Sequence, residues 1–143
     1  MAEPGARPQS VLFVCAMNAI RSPMAEYLTR TLFASQVYAR SAGVSAGDSD
    51  SFMHAVMAER GISMDGHHPA TLDELGDSFF DLVVTLSPEA HHRVLQMLRS
   101  HAVDVEYWPT MDPSTIAGKR EQVLDAYRQT RDKLEQRIIS RFG

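Results

Sequence analysis

The segment Val11-Leu-Phe-Val-Cys15-Ala-Met-Asn-Ala-Ile-Arg21-Ser22-Pro23 changes character twice along its length. Four apolar residues, Val11 to Val14, follow one another without alternation. That is expected of a strand buried on both faces of a parallel sheet. A loop opens at Cys15, and Pro23 then stands where the first position of a helix is expected. Beyond it, Met24, Leu28 and Leu32 recur four residues apart as one apolar stripe. Strand, loop and helix in this order begin an α/β unit.

The rest of the chain repeats that rhythm. Val37–Ala42 reads as a second strand, ended by Gly43. Asp50 or Ser49 caps a helix carrying Phe52, Val56 and Met57, with Gly61 as its stop. Thr71–Leu75 is a short helical turn, Phe80–Leu86 a third strand, Glu89–Arg99 a helix and Val103–Trp108 a fourth strand. Gln122–Phe142 reads as a long last helix with Val123, Tyr127, Leu134 and Ile138 turned inward. The expected fold is an α/β three-layer sandwich, a four-stranded parallel sheet flanked by helices. Met53, Met57, Met64 and Met97 are core or loop filler.

Bulk properties narrow the functional classes. A length of 143 residues suits one domain. Residues 1–9, with Pro4, Gly5 and Pro8, read as a flexible tail, and residues 10–143 as a single catalytic domain. The hydrophobic share of 44% excludes wholesale disorder. A net charge of -4 gives no general attraction to nucleic acid or anionic lipid, so neither is an expected partner, and any anion site must concentrate positive potential locally. The single cysteine rules out an intrachain disulfide, a Cys-based zinc cluster and a CxxC pair. The run Val11–Ala16 is too short for a signal core or a membrane span, so the cytoplasm is expected. His67-His68 and His91-His92 have no accompanying carboxylate–His motif; no metal and no cofactor are expected. The pattern specifies no oligomeric state.

The chemistry concentrates at residues Cys15, Ala16, Met17, Asn18, Ala19, Ile20, Arg21 and Ser22. A cysteine ending a buried strand, five residues, an arginine and a helix start can form an oxyanion cradle. Backbone N–H groups converge there with the positive end of the helix dipole. Arg21 supplies a planar pair of donors to two oxygens of the anion. The same field favours the thiolate of Cys15, an activated nucleophile. Ser22 can hydrogen-bond the sulfur, and Asn18 tolerates left-handed backbone angles. Cys-x5-Arg alone is a weak pattern, and a strand-end cysteine is often only a small hydrophobe. Its place between a buried strand and a helix start gives it weight.

Val11 to Cys15, Asn18, Arg21-Ser22-Pro23-Met24-Ala25-Glu26, Ser41-Ala42-Gly43, Gly61-Ile62, Gly66-His67, Phe80-Asp81-Leu82-Val83 and Asp112-Pro113 together resemble one known pattern. It is that of the low-molecular-weight protein tyrosine phosphatase family, which includes arsenate reductases of the same fold. The resemblance covers most of the chain in order. It implies a doubly wound fold, no metal, and an intermediate with the phosphoryl group bonded to the cysteine sulfur. It also implies that Asp112 is the general acid and then the base, and that Asn18, Ser22, Ser41 and His67 form a hydrogen-bond network behind the loop. By itself Asp-Pro is an ordinary turn opener.

Three departures stand out. The family usually has Gly where Met17 stands; if that position needs a positive φ, the residue costs about 1 kcal/mol. Some bacterial chains that resemble this one also lack that glycine, so Met17 is not read as disabling. Ile20 replaces the second loop cysteine of many phosphatases, which leaves Cys15 open to over-oxidation. Ser114 and Thr115 stand where tyrosine phosphatases place tyrosines, leaving Tyr107 as a partial substitute and Trp108 as core. The segment Tyr107 to Pro113 looks more like the arsenate reductase branch.

The first expectation is a cysteine-dependent phosphatase acting on phosphate monoesters, phosphotyrosine among them. Its substrate is then a phosphorylated small molecule or a phosphoprotein. The alternative is an arsenate reductase drawing on an external low-molecular-weight thiol, since one cysteine cannot run an internal disulfide relay. A third is a non-catalytic oxyanion- or phosphoprotein-binding module, against which the full set Cys15, Arg21, Ser22 and Asp112 stands.

Overall fold

Four parallel strands run in the order β2-β1-β3-β4. They are β1 (Ser10–Cys15), β2 (Tyr38–Gly43), β3 (Leu82–Thr85) and β4 (Asp104–Tyr107). The computed structural model describes residues 6–75, 79–99 and 101–143. Helices α1 (Arg21–Leu32), α2 (Ser51–Ala58), α3 (Leu72–Leu75), α4 (Pro88–Met97) and α5 (Arg120–Phe142) connect and cover the strands.

β1 shows why its sequence is apolar throughout. Val11, Phe13 and Cys15 enter one hydrophobic cluster with residues of α1, α2 and α5. Leu12 and Val14 enter a second with Leu72, Ala90 and Val94 of α3 and α4. A strand with a helical layer on each face favours apolar residues at every position. β1 pairs β2 in register Phe13↔Ser41 and β3 in register Phe13↔Val84.

Several boundaries depart from expectation for local reasons. α1 begins at Arg21, so Pro23 occupies its third position, not its first. The missing N–H is still harmless, because Met24 N–H, which donates to Ile20 O, is the first that needs an intrahelical partner. Met24 and Leu28 are buried as expected, but Leu32 at the helix end is 40% exposed. Asp50, not Ser49, caps α2, accepting from Met53 N–H at 2.9 Å; Ser49 Oγ bonds His54 instead. Gly61 has φ of 72° just past the helix, the left-handed stop its type suggested. α5 starts two residues early and buries Tyr127, Leu134 and Ile138, while Val123 is half-buried.

Arg131, buried on α5, donates to Val56 O at 2.7 Å and to Glu59 at 2.8 Å, docking α5 on α2. Hydrogen bonds from Arg128 and Arg131 hold the Glu59 carboxyl down to about 2. Of the expected tail, residues 1–5 lie outside the described residues. Pro8 is buried, Ala6 O accepts from Arg141 at 2.7 Å and Gln9 N–H donates to Asp81 at 2.9 Å.

Candidate active site

β1 sits inside the sheet with β2 on one side and β3 on the other. The loop leaving its carboxyl end therefore opens at the topological switch point, where ligands bind in open α/β sheets. A second segment is lashed along that loop by backbone bonds. Val44 N–H donates to Cys15 O (3.1 Å), Ser45 N–H to Ala16 O (2.9 Å) and Gly47 N–H to Met17 O (2.8 Å). With those carbonyls held from outside, the N–H groups of residues 16–20 make no hydrogen bond among the described residues. They remain available to an anion, as the cradle requires. The close approach depends on Gly43, where a Cβ would lie 2.7 Å from Asn18 N and 2.8 Å from Met17 C.

The strain anticipated at Met17 is absent. The positive φ of the loop falls on Asn18, at 51°, a residue type that tolerates it. Met17 instead lies 48% exposed against Gly47, whose added Cβ would be 3.1 Å from the Met17 Cβ.

Behind the cradle runs a buried chain of hydrogen bonds. His67 Nε2 lies 3.1 Å from Asn18 Oδ1, Asn18 Nδ2 donates to Ser22 Oγ at 2.8 Å, and Ser22 Oγ lies 2.9 Å from Cys15 Sγ. Burial, aided by nearby His54, His68 and Arg30, lowers His67 to about 4, so the ring is neutral at pH 7. A neutral ring facing an amide oxygen must carry its proton on Nε2. Asn18 Oδ1 also accepts from Ala70 N–H at 2.9 Å, which fixes the amide's orientation. The first two donors of the chain thus point toward the sulfur, and the Ser22 hydroxyl, which donates to Ala42 O at 3.3 Å, can turn to donate to a thiolate.

Ser41 does not join that chain. Its hydroxyl donates to Glu26 Oε1 at 2.5 Å, and Glu26 pairs with Arg30 at 2.8 Å. Burial pushes the Glu26 carboxyl up, against the opposing pull of Ser41, Arg30 and Arg40. Ser41 thus ties β2 to α1 from the side.

Arg21 is 9% exposed, and its Nη1 donates to Thr110 O at 2.9 Å, a residue 89 positions away. Trp108 N–H to Thr85 O and Thr110 N–H to Leu86 O carry the chain past β4 along the end of β3. Asp112 is thereby brought to the cradle. Its Oδ1 accepts from Ser114 N–H at 2.9 Å and from Ser114 Oγ at 2.7 Å. A pocket of about 210 Å³ joins three segments: Cys15, Met17, Ala19, Ile20 and Arg21; Gly47, Asp48 and Asp50; Asp112 and Ser114. The expected site residues Cys15, Arg21 and Asp112 therefore meet in one cleft.

Tyr107 is not part of it. Its ring stacks on His91 at 4.8 Å, and Trp108 is buried against Phe13 and Phe142, as its core role predicted. Sequence reasoning missed Thr110, Gly47 and Asp48. The small-residue run after β2 was visible, but nothing local said that it would bond to the Cys15 loop. Among the described residues, no three His, Cys, Asp or Glu side chains gather where a metal could be held. No described helix is long and apolar enough to cross a membrane.

A thiol at a switch point, set over free amides and beside a buried arginine, defines a class of α/β proteins built to engage tetrahedral oxyanions through cysteine. The chain belongs to the Low molecular weight phosphotyrosine protein phosphatase family, whose sequence model matches residues 10–141. It is similar to the protein-arginine-phosphatase of Bacillus subtilis, 30% identical over 136 residues, covering 88% of this chain and 89% of that protein. The arsenate reductase of the same organism is 28% identical, covering 90% and 91%. Among solved structures, the tyrosine phosphatase amsI of Erwinia amylovora superimposes with a TM-score of 0.77 at 25% identity, covering 98% of this chain and 95% of that one.

Proposed function

We propose that the protein hydrolyses phosphoryl groups through a cysteinyl-phosphate intermediate. The observation that carries this reading is the directed hydrogen-bond chain His67–Asn18–Ser22–Cys15, which ends on the sulfur inside the cradle. In the first step the phosphate lies on the loop amides and Arg21, and the Cys15 thiolate attacks phosphorus in line. Asp112 gives its proton to the departing atom. In the second step Asp112 takes a proton from water, water attacks phosphorus, and the sulfur leaves, helped by the Ser22 hydroxyl. Ser114 holds one Asp112 oxygen and leaves the other for this proton traffic. A reduced thiolate nucleophile suits the cytoplasm, where we place the protein.

Arsenate reduction is the second reading, favoured by the arsenate reductase likeness and by the shared first event of thiolate attack on a tetrahedral oxyanion. Cys15 is the chain's single cysteine, so reduction would draw its electrons from an external thiol.

The deciding experiment assays p-nitrophenyl phosphate with wild type and Cys15→Ser, and arsenate with a thiol donor in parallel. Ester hydrolysis lost in Cys15→Ser, with phosphate binding retained, is the expected result. Activity surviving in Cys15→Ser refutes the mechanism. Arsenate turnover without ester hydrolysis establishes the second reading.

A further inference from the structure

We infer that the pocket selects phosphoryl groups carried beside a positive charge, and that Asp48 is its selecting residue; the inference rests on the phosphoryl-transfer reading above. Carboxylates of Asp48, Asp50 and Asp112 line the pocket, against the single cation Arg21. None of the three forms an ion pair among the described residues. Asp50 is bonded only by neutral donors, Met53 N–H and Tyr127 O–H at 2.9 Å each, and no cation pairs with it among the described residues. Asp112 also takes neutral donors from Ser114, but as the general acid it meets the substrate protonated, so the rim anions facing a bound substrate are Asp48 and Asp50. The neighbouring cations Lys119 and Arg120 do not line the pocket, and the Arg120 guanidinium lies over the Phe52 ring at 5.5 Å.

A phosphate dianion entering such a mouth is repelled by the rim even as the cradle attracts it. A cation held next to the phosphoryl group turns that repulsion into attraction. Among the described residues the pocket lining contains no aromatic side chain, so a phenyl ring finds no face to stack on. Apolar surface comes from Met17 and Ile20, which can cover the methylene stem of a basic side chain.

Asp48 is the one rim carboxylate with no other task. It is exposed and has no hydrogen-bond or ion-pair partner among the described residues, whereas Asp50 caps α2 and Asp112 serves the chemistry. Its place is nonetheless set. The bonds of Val44, Ser45 and Gly47 to the Cys15 loop deliver the next residue to the mouth. Two substrate forms share the required chemistry: a phosphorylated guanidinium, and a phosphorylated hydroxyl residue flanked by Lys or Arg.

The test uses three peptides of equal length: one with phosphoarginine, and two with a phosphorylated hydroxyl residue flanked by Lys and Arg or by Asp and Glu. kcat/KM is measured for wild type, Asp48→Asn and Asp48→Lys, and dissociation constants for the Cys15→Ser forms of each. Wild type should prefer the basic-flanked over the acidic-flanked peptide by about tenfold at low salt. Asp48→Asn should shrink that ratio by about threefold, and Asp48→Lys should bring it to unity or invert it. The phosphoarginine arm tells which of the two forms is preferred. Equal kcat/KM for both flanks in wild type overturns the inference while leaving the phosphatase reading intact. So does an equal loss for all peptides in the Asp48 variants. If wild type turns over nothing, the phosphatase reading fails, and the Cys15→Ser dissociation constants still decide the selectivity: no preference there overturns it.

Discussion

Replacing Gly43 with Ala puts a methyl group where the structure has no room. The added Cβ would lie 2.4 Å from Ser45 O, 2.7 Å from Asn18 N and 2.8 Å from Met17 C. All three are backbone atoms, so relief cannot come from a side-chain rotation. Either the Cys15 loop or the 44–47 segment must move by several tenths of an ångström, straining the bonds that lash one to the other. Overpacking of this kind costs about 1–3 kcal/mol. For a chain of this length that is a fall in Tm of about 3–10 °C. Activity should suffer more, because a shift approaching 1 Å at a catalytic centre costs about 100-fold. The assay is p-nitrophenyl phosphate hydrolysis together with a thermal melt, with Gly66→Ala as control. At Gly66 a Cβ meets only Tyr27 Oη at 3.6 Å, an ordinary contact, so that variant should stay within about 0.5 kcal/mol of wild type. If Gly43→Ala keeps wild-type activity and melting temperature, the close approach of the two segments is not what shapes the cradle.

Three further predictions probe separate parts of the molecule. His67 is lowered from 6.5 to about 4, so the unfolded chain binds its proton first as pH falls. Its contribution to stability is full above about pH 6.5 and is lost progressively down to about pH 4. Urea unfolding across that window should weaken more steeply for wild type than for His67→Gln, and equal slopes would refute it. Asp50→Ala removes the α2 cap and leaves the buried Tyr127 hydroxyl unpaired, for a loss of about 2–4 kcal/mol. Adding Tyr127→Phe should restore part of it, and no recovery would mean that the hydroxyl is otherwise satisfied. Asp112→Asn should lower kcat about 100-fold or more on an alkyl phosphate, and less on p-nitrophenyl phosphate, whose phenolate leaves unaided. An equal loss on both would assign Asp112 a positioning role.

What one stretch of sequence determined is local or set by solvent. Unbroken apolarity from Val11 to Val14 meant two covered faces, because a polar residue between two helical layers survives only with a hydrogen-bond partner, as Thr85 does with His91. Asn18 was legible as a residue that tolerates left-handed angles and Asp50 as a cap candidate, because both follow from side-chain chemistry within a few residues. The loop from Cys15 to Arg21 was legible as a candidate oxyanion cradle because its donors are sequential. The tertiary structure decided everything that depends on chain segments meeting from far apart. It set the positive φ on Asn18 and not Met17, since the partner segment after β2 dictates the path of the loop. Long-range bonding likewise gave Ser41 to Glu26 and Tyr107 to His91, each overriding a reading that local pattern allowed, and it anchored Arg21 on Thr110 O. Asp48 is the clearest case. In sequence it is one acid in a polar loop, and it becomes part of the pocket only because three backbone hydrogen bonds carry its segment along the Cys15 loop. Periodicity records which side of an element meets water; it holds no record of which carbonyl a distant amide will find.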